Sequence, residues 1–204
     1  MGSVCILDYG SGNVKSVYNL VSSIADDVVV SNDPARIAEA THIVLPGVGA
    51  FGAAMRRIRE TLPMDALERA VLNDRKPFLG ICVGMQVMAT VGREFGEHAG
   101  LGWIAGHVEQ LDTNGLPLPH VGWNNVTREV SSALFAELGD SPDFYFVHSY
   151  AFHADDPGHE IAMSHYGTDF CSAIQSGNLF GVQFHPEKSQ RAGIQLIKNF
   201  LAIS

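Results

Sequence analysis

Two hydrophobic periods alternate over the first ninety residues, and this alternation narrows the fold more than any other feature. Apolar runs of strand length stand at 4–9 (VCILDY), 27–31 (DVVVS), 42–47 (HIVLPG) and 76–81 (KPFLGI). Between them lie segments whose apolar residues recur at helical spacing. The stretch 13–24 carries Val14, Val17, Leu20, Val21 and Ile24 on one stripe. The stretch 33–40 opens with Asp33 as an N-cap and Pro34 at the first helical position, and 53–74 is interrupted near Pro63. Strands that alternate with helices predict a parallel sheet covered on both faces. Beyond about residue 100 the pattern changes. WIAGHVEQL, FYFVHSYAF, EIAMSHYG, FCSAIQSG and LFGVQFHP are strand-like and separated by turn residues, which predicts an antiparallel or mixed extension of the sheet. An amphipathic helix is predicted over 191–203. The 204 residues suit one compact α/β domain over 1–204, with no internal repeat, low-complexity tract or linker.

Composition excludes several classes of function. The formal net charge is −9, from 13 Lys plus Arg against 22 Asp plus Glu, a poor balance for attracting nucleic acid or anionic lipid. No apolar run approaches the length that crosses a membrane. The N-terminal MGSVCILDYG lacks the basic and apolar regions of a signal peptide, and Ile6 stands where an N-myristoyl signal wants Ser or Thr. The three cysteines, Cys5, Cys82 and Cys171, are widely spaced and form no CxxC, which argues for a reducing compartment, the cytoplasm, rather than a disulfide framework. Cys5 and Cys171 sit in apolar strand-like runs and are expected to be buried.

Cys82 differs. Gly80-Ile81-Cys82-Val83-Gly84 matches the G-x-nucleophile-x-G elbow at a predicted strand-to-helix junction. A sharp turn there pushes the side chain out of the sheet, and small neighbours let the backbone fold that tightly. The free amides at the start of the next helix favour a thiolate, and the Val83 amide is a candidate oxyanion donor. The competing reading is a buried cysteine beside helix-packing glycines.

A nucleophilic cysteine needs an oriented base. His185 in GVQFHPEKS, followed by Pro186 and Glu187, offers one. Pro186 disfavours a helical conformation at His185. In an extended segment positions i and i+2 share a side, so Glu187 is expected to hold one ring nitrogen and leave the other to Cys82. LPGVGAFG (45–52) follows the third strand, and the turn at Val48 and Gly49 is expected to supply a second oxyanion donor; a flexible loop is the bland alternative. GSGNVKS is not a phosphate loop, because Val14 rather than glycine precedes Lys15. The pairs His148/His153 and His159/His165 have plausible metal spacing but lack clustered Cys or acidic ligands, so no metal and no cofactor is expected. A cysteine hydrolase or isomerase on a similar scaffold, and a flavodoxin-like binding module with a structural cysteine, are rival readings.

LDYGSGNVKSV, LPGVGAFG, GICVGMQ, PHVGWNN, YFVHSY and HPEKS occur in this order over almost the whole chain. Together they resemble the class I glutamine amidotransferases. Met85-Gln86 and Lys188-Ser189 are most similar to the branch formed by the glutaminase subunits of imidazole glycerol phosphate synthase, in histidine biosynthesis. The resemblance implies a three-layer, flavodoxin-like fold with a central, mostly parallel sheet and an antiparallel extension. It implies a Cys82–His185–Glu187 triad that hydrolyses L-glutamine through a thioester. It also implies a glutamine site formed by Gly49, Gln86, Glu94, His148, Ser149 and Tyr150. Val83 departs from the leucine more frequent in the family, which matters little if only its amide is used. The implied partner is a (β/α)8-barrel cyclase that takes the ammonia and forms a heterodimer, with Asn13, Trp123, Asn124 and Lys188 as candidate interface residues. Trp123 lies among turn-like residues as a candidate exposed anchor. The resemblance further implies weak glutaminase activity until the partner's substrate binds, with the Gly47–Gly49 turn as the switch.

Overall fold

The computed structural model describes residues 2–128 and 131–204. Its first part runs β1 (Val4–Ile6), α1 (Val14–Ser22), β2 (Val28–Val30), α2 (Pro34–Glu39), β3 (His42–Gly47), α3 (Phe51–Thr61), α4 (Met64–Glu68), β4 (Phe78–Cys82) and α5 (Val83–Gln86). The second part is dominated by strands: β5 (Val91–Gly92), β6 (His98–Ala99), β7 (Gly106–Gln110), β8 (His120–Asn125), β9 (Thr127–Arg128), β10 (Asp143–His148) and β11 (Tyr150–Ala154). β12 (Glu160–Tyr166), β13 (Thr168–Ser176), β14 (Leu179–Val182) and α6 (Gln190–Leu201) follow.

Among the described residues, eight strands form one sheet in the order β2-β1-β3-β4-β14-β13-β12-β9. Pairing is parallel from β2 to β14 and antiparallel from β14 to β9, the expected parallel sheet with an antiparallel extension. Every residue of β3 and β4 is buried, so layers cover both faces of the sheet at its centre. This is why those strands read as unbroken apolar runs. Local chemistry sets the helix ends. Asp33 accepts from the Ala35 N–H and caps α2, with Pro34 at its first position. Pro63 cannot donate to a preceding turn, so the expected 53–74 helix divides into α3 and α4, and α4 runs on into a wider turn over Arg69–Asn73.

Three departures from expectation bear on function. The run FYFVHSYAF is two strands: β10 pairs with β8 in a ribbon, while β11 pairs with β7 in a separate four-stranded sheet. The chain changes sheets at Ser149, which turns residues 147–150 toward the ends of the central strands. The segment around Trp123, expected to be turn-like, is strand β8. LFGVQFHP stops being a strand at Val182. Cys5 and Cys171 are buried in the core, and burial pushes the Cys5 thiol up to about 11 and the Cys171 thiol well above its usual range, so neither is a reactive thiol.

The register places the site. Gly47 at the end of β3 stands opposite Cys82 at the end of β4, and Ile81 of β4 stands opposite Val182 at the end of β14. Three parallel strands therefore end side by side, and the segments leaving them meet at one rim.

Candidate active site

Cys82 closes β4 with φ +54° and ψ −112°, outside the regions ordinary side chains prefer, which costs on the order of 1–3 kcal/mol. Packing holds it there. A methyl on Gly84 would run into the Leu45 carbonyl oxygen, so the start of α5 presses directly on β3. α5 is a single helical turn, and Val83 opens it with an N–H that has no partner within the helix. Across the rim, Gly49 has φ +99° with open space around it, so the backbone angle rather than crowding requires glycine there.

His185 and Glu187 meet, although not as an extended pair. His185 is extended, but Pro186–Lys188 form one 3-10 turn that curls Glu187 back under the ring. The His185 Nδ1 and Glu187 Oε1 are 2.8 Å apart, with side chains 2% and 0% exposed. The Asn13 Nδ2 donates to the same oxygen at 3.0 Å, and Ser11 Oγ donates to Asn13 Oδ1 at 2.7 Å. Burial opposes a charge on the His185 ring, but the neighbouring Cys82 sulfur and the Glu187 carboxylate outweigh it and raise the ring to about 10. Burial likewise opposes ionisation of Glu187, and the bond to His185 overrides it, holding the carboxyl below its ordinary value. With Nδ1 engaged by Glu187, Nε2 is the nitrogen left to face the cavity.

That cavity has a volume of about 260 Å³. Cys82, His185, Val48, Gly49, Val83, Gln86, Glu94, His148, Ser149, Tyr150 and Lys188 all line it, together with Pro119 and Val147. Glu94 accepts the Phe51 N–H at 2.7 Å through Oε2, where the start of α3 favours an anion, and its other carboxylate oxygen has no partner among the described residues. The Gln86 Nε2 donates to the Tyr150 carbonyl at 3.1 Å and to Gln183 Oε1 at 2.9 Å. The Tyr150 carbonyl also takes the His148 Nδ1 at 3.0 Å, which puts the ring hydrogen on that nitrogen. His148 Nε2 must then accept from His120 Nδ1 at 3.0 Å, and His120 Nε2 from Asn124 Nδ2 at 3.3 Å. Burial pushes His148 down to about 4 and His120 below its ordinary value, as two neutral rings in series require. His153 stacks on His107, and His165 pairs with Asp169 at 2.7 Å.

The candidate interface residues divide. Trp123 is 48% exposed, edge-on to Tyr145 at 6.0 Å, and Lys188 places its Nζ 5.5 Å from the same Tyr145 ring. Asn124 donates to the His165 carbonyl at 2.9 Å and is half-buried. Asn13 is 6% exposed and engaged with Glu187: it lies behind His185 rather than on a free surface, because the turn before α1 packs against the Pro186–Lys188 turn. Gln183, which motif reading passes over, is fully buried and points its Nε2 at the Cys82 sulfur, 3.6 Å away. It stands two residues before His185, where the chain bends as it leaves β14, and both side chains reach the Cys82 sulfur.

Known proteins share both the sequence and the fold. The family model described as Glutamine amidotransferase class-I matches residues 5–203. The chain is 44% identical over 202 residues to the imidazole glycerol phosphate synthase subunit HisH of Bdellovibrio bacteriovorus, covering 97% of this chain and 98% of that protein. It is 46% identical over 208 residues to the protein of the same name from Salinibacter ruber, covering 97% and 93%. Among solved structures it shares the fold of a glutamine amidotransferase, with TM-score 0.74, 18% identity and coverage of 98% of this chain and 97% of that one. It shares it too with PurLQS from Thermotoga maritima, with TM-score 0.72, 17% identity and 98% coverage of each chain. With an elbow cysteine, a buried histidine–glutamate pair, a family model over residues 5–203 and relatives that cover 97% of it, the chain belongs to the class-I glutamine amidotransferase family.

Proposed function

We propose that the chain acts as one domain, the glutaminase subunit of an imidazole glycerol phosphate synthase in the cytoplasm, and that it hydrolyses L-glutamine to glutamate and ammonia for a cyclase partner. The observation that carries this is the meeting of Cys82 and His185, 103 residues apart in sequence, at one small cavity with Glu187 behind the ring. The glutamine α-ammonium is held by the free oxygen of Glu94 and the carbonyl oxygen of Gln86, whose amide nitrogen is already committed to Tyr150 and Gln183. The Cys82 thiolate attacks the side-chain amide carbon, and the Val83 N–H with an N–H from the Val48–Gly49 turn stabilises the oxyanion. His185 gives its proton to the leaving ammonia, leaving a thioester on Cys82. The same ring then takes a proton from water, whose oxygen attacks the thioester and frees glutamate. Glu187, held by Asn13, keeps the ring in the tautomer and orientation both steps need.

Free ammonia protonates near neutral pH and stops being a nucleophile, so the acceptor enzyme must cover the cavity mouth. The exposed side of the β8–β10 ribbon suits that contact. Val121 (opposite Val147) and Trp123 (opposite Tyr145) face outward with Lys188 nearby, and Val147 and Lys188 line the cavity itself. The partner is a (β/α)8-barrel cyclase that forms a heterodimer with this chain and uses the ammonia to make imidazole glycerol phosphate and an aminoimidazole carboxamide ribotide. The test is glutamate release by the chain alone, with the cyclase, and with the cyclase plus its ribotide substrate. Weak release that rises with partner and ribotide is expected. No release under any of the three conditions refutes the proposal, and full activity alone refutes the gating.

A further inference from the structure

We propose that Gln183 is a positioning residue for the nucleophile, holding the Cys82 thiolate with its side-chain amide and tying it to the glutamine-binding side chain Gln86. The inference rests on Cys82 being the nucleophile and names a second donor to its sulfur.

Which end of the Gln183 amide faces the sulfur follows from a carbonyl that has no choice. The Tyr150 backbone oxygen can only accept, so the Gln86 group 3.1 Å from it is the NH₂. That NH₂ also contacts Gln183 at 2.9 Å, so Gln183 must present its oxygen to Gln86. The remaining group, 3.6 Å from Cys82 Sγ, is the Gln183 NH₂, a donor. The Val147 carbonyl, also at hydrogen-bond range at 3.9 Å, accepts from a thiol and offers a thiolate nothing. Gln183 and His185 therefore bring two donors to the sulfur from the short bent segment that leaves β14, with the Gln183 main chain anchored by its N–H to the Ser172 carbonyl at 2.9 Å. A fully buried amide with both ends engaged has one orientation, so the donor is preorganised before substrate arrives.

The experiment is the pH dependence of Cys82 alkylation by iodoacetamide, mapped by peptide mass spectrometry, together with steady-state glutamine kinetics in the complex with the cyclase. Gln183→Met fills the same space without a donor. Gln183→Asn, one methylene shorter, keeps the polarity but cannot span from Gln86 to the sulfur, and it serves should the methionine variant not fold. Both are expected to move the alkylation profile up by about one pH unit, tenfold less thiolate below the inflection, and to lower kcat about tenfold. Gln86→Met, which leaves the donor but unties it, moves the profile the same way by less. A merely structural Gln183 alters stability and leaves the profile where it is. An unmoved profile in folded Met and Asn variants, with normal wild-type turnover, overturns the role of Gln183 and leaves Cys82 as nucleophile. A wild-type Cys82 that resists alkylation at every pH overturns both.

Discussion

Replacing Glu187 by glutamine keeps the side chain's shape and removes its charge. In the native chain Oε1 accepts from His185 Nδ1 at 2.8 Å and from Asn13 Nδ2 at 3.0 Å, while Oε2 is buried without a protein partner among the described residues. The new amide has two orientations, and both are poor. With its oxygen toward His185, its NH₂ takes the place of Oε2 and has nothing to donate to, a cost of about 1–3 kcal/mol. Turned the other way, the NH₂ faces Nδ1, which forces the ring hydrogen onto Nε2 beside Cys82, where the ring cannot take the thiol proton. In either orientation the imidazolium loses the carboxylate that offsets its burial. An amide in place of the carboxylate of a Ser–His–Asp triad lowers kcat by about 10⁴, near 5 kcal/mol at 1.36 kcal/mol per tenfold. The pair here is equally buried, so a loss of about 10²–10⁴ in kcat is expected. Glu187 does not line the cavity, so KM for glutamine should hold within about threefold. The assay is glutamate release in the complex with cyclase and ribotide, with thermal unfolding to verify the fold. A folded variant that loses less than tenfold in kcat, or loses only in KM, refutes the assigned role of Glu187.

Two further outcomes follow from the same geometry. His148 is held neutral in the fold near 4 against 6.5 for an unperturbed ring, so its contribution is complete above pH 6.5 and is lost as pH falls toward 4, when only the unfolded chain takes the proton. That is worth roughly 3 kcal/mol at 1.36 kcal/mol per unit, and urea unfolding between pH 7 and 4.5 should show a shallower pH slope in His148→Leu than in the wild type; equal slopes contradict it. Trp123→Ala should weaken cyclase binding at least about tenfold and lower the free chain's stability by about 1–2 kcal/mol, because the indole is half buried and edge-on to Tyr145; unchanged affinity by titration calorimetry removes Trp123 from the interface.

The parallel half of the fold was legible because its strands are buried on both faces: HIVLPG is β3 residue for residue, and KPFLGI ends one residue short of the Cys82 that closes β4. The elbow was legible because an L-residue at φ +54° with a backbone strand against its helix start demands small neighbours at fixed offsets. The antiparallel half read less well. The β8–β10 ribbon is half exposed and carries Gly122, Asn124 and Asn125, residues that look like a turn until β10 pairs with them. The change of sheet at Ser149 has no local signal, since residues on both sides are equally strand-like. The His185–Glu187 contact needed a 3-10 turn that Pro186 permits but does not announce. Asn13 reads as a surface residue because nothing local shows that residues 174 positions apart will touch, and Gln183 stands beside a more conspicuous histidine.

The most direct test of the central claim is covalent labelling with a glutamine analogue that carries an electrophilic diazoketone in place of the side-chain amide, followed by peptide mapping. One adduct is predicted, on Cys82, which excess L-glutamine suppresses and which His185→Ala greatly slows, with Cys5 and Cys171 untouched in the core. An adduct on either buried cysteine, or labelling of Cys82 that glutamine does not slow, would contradict it.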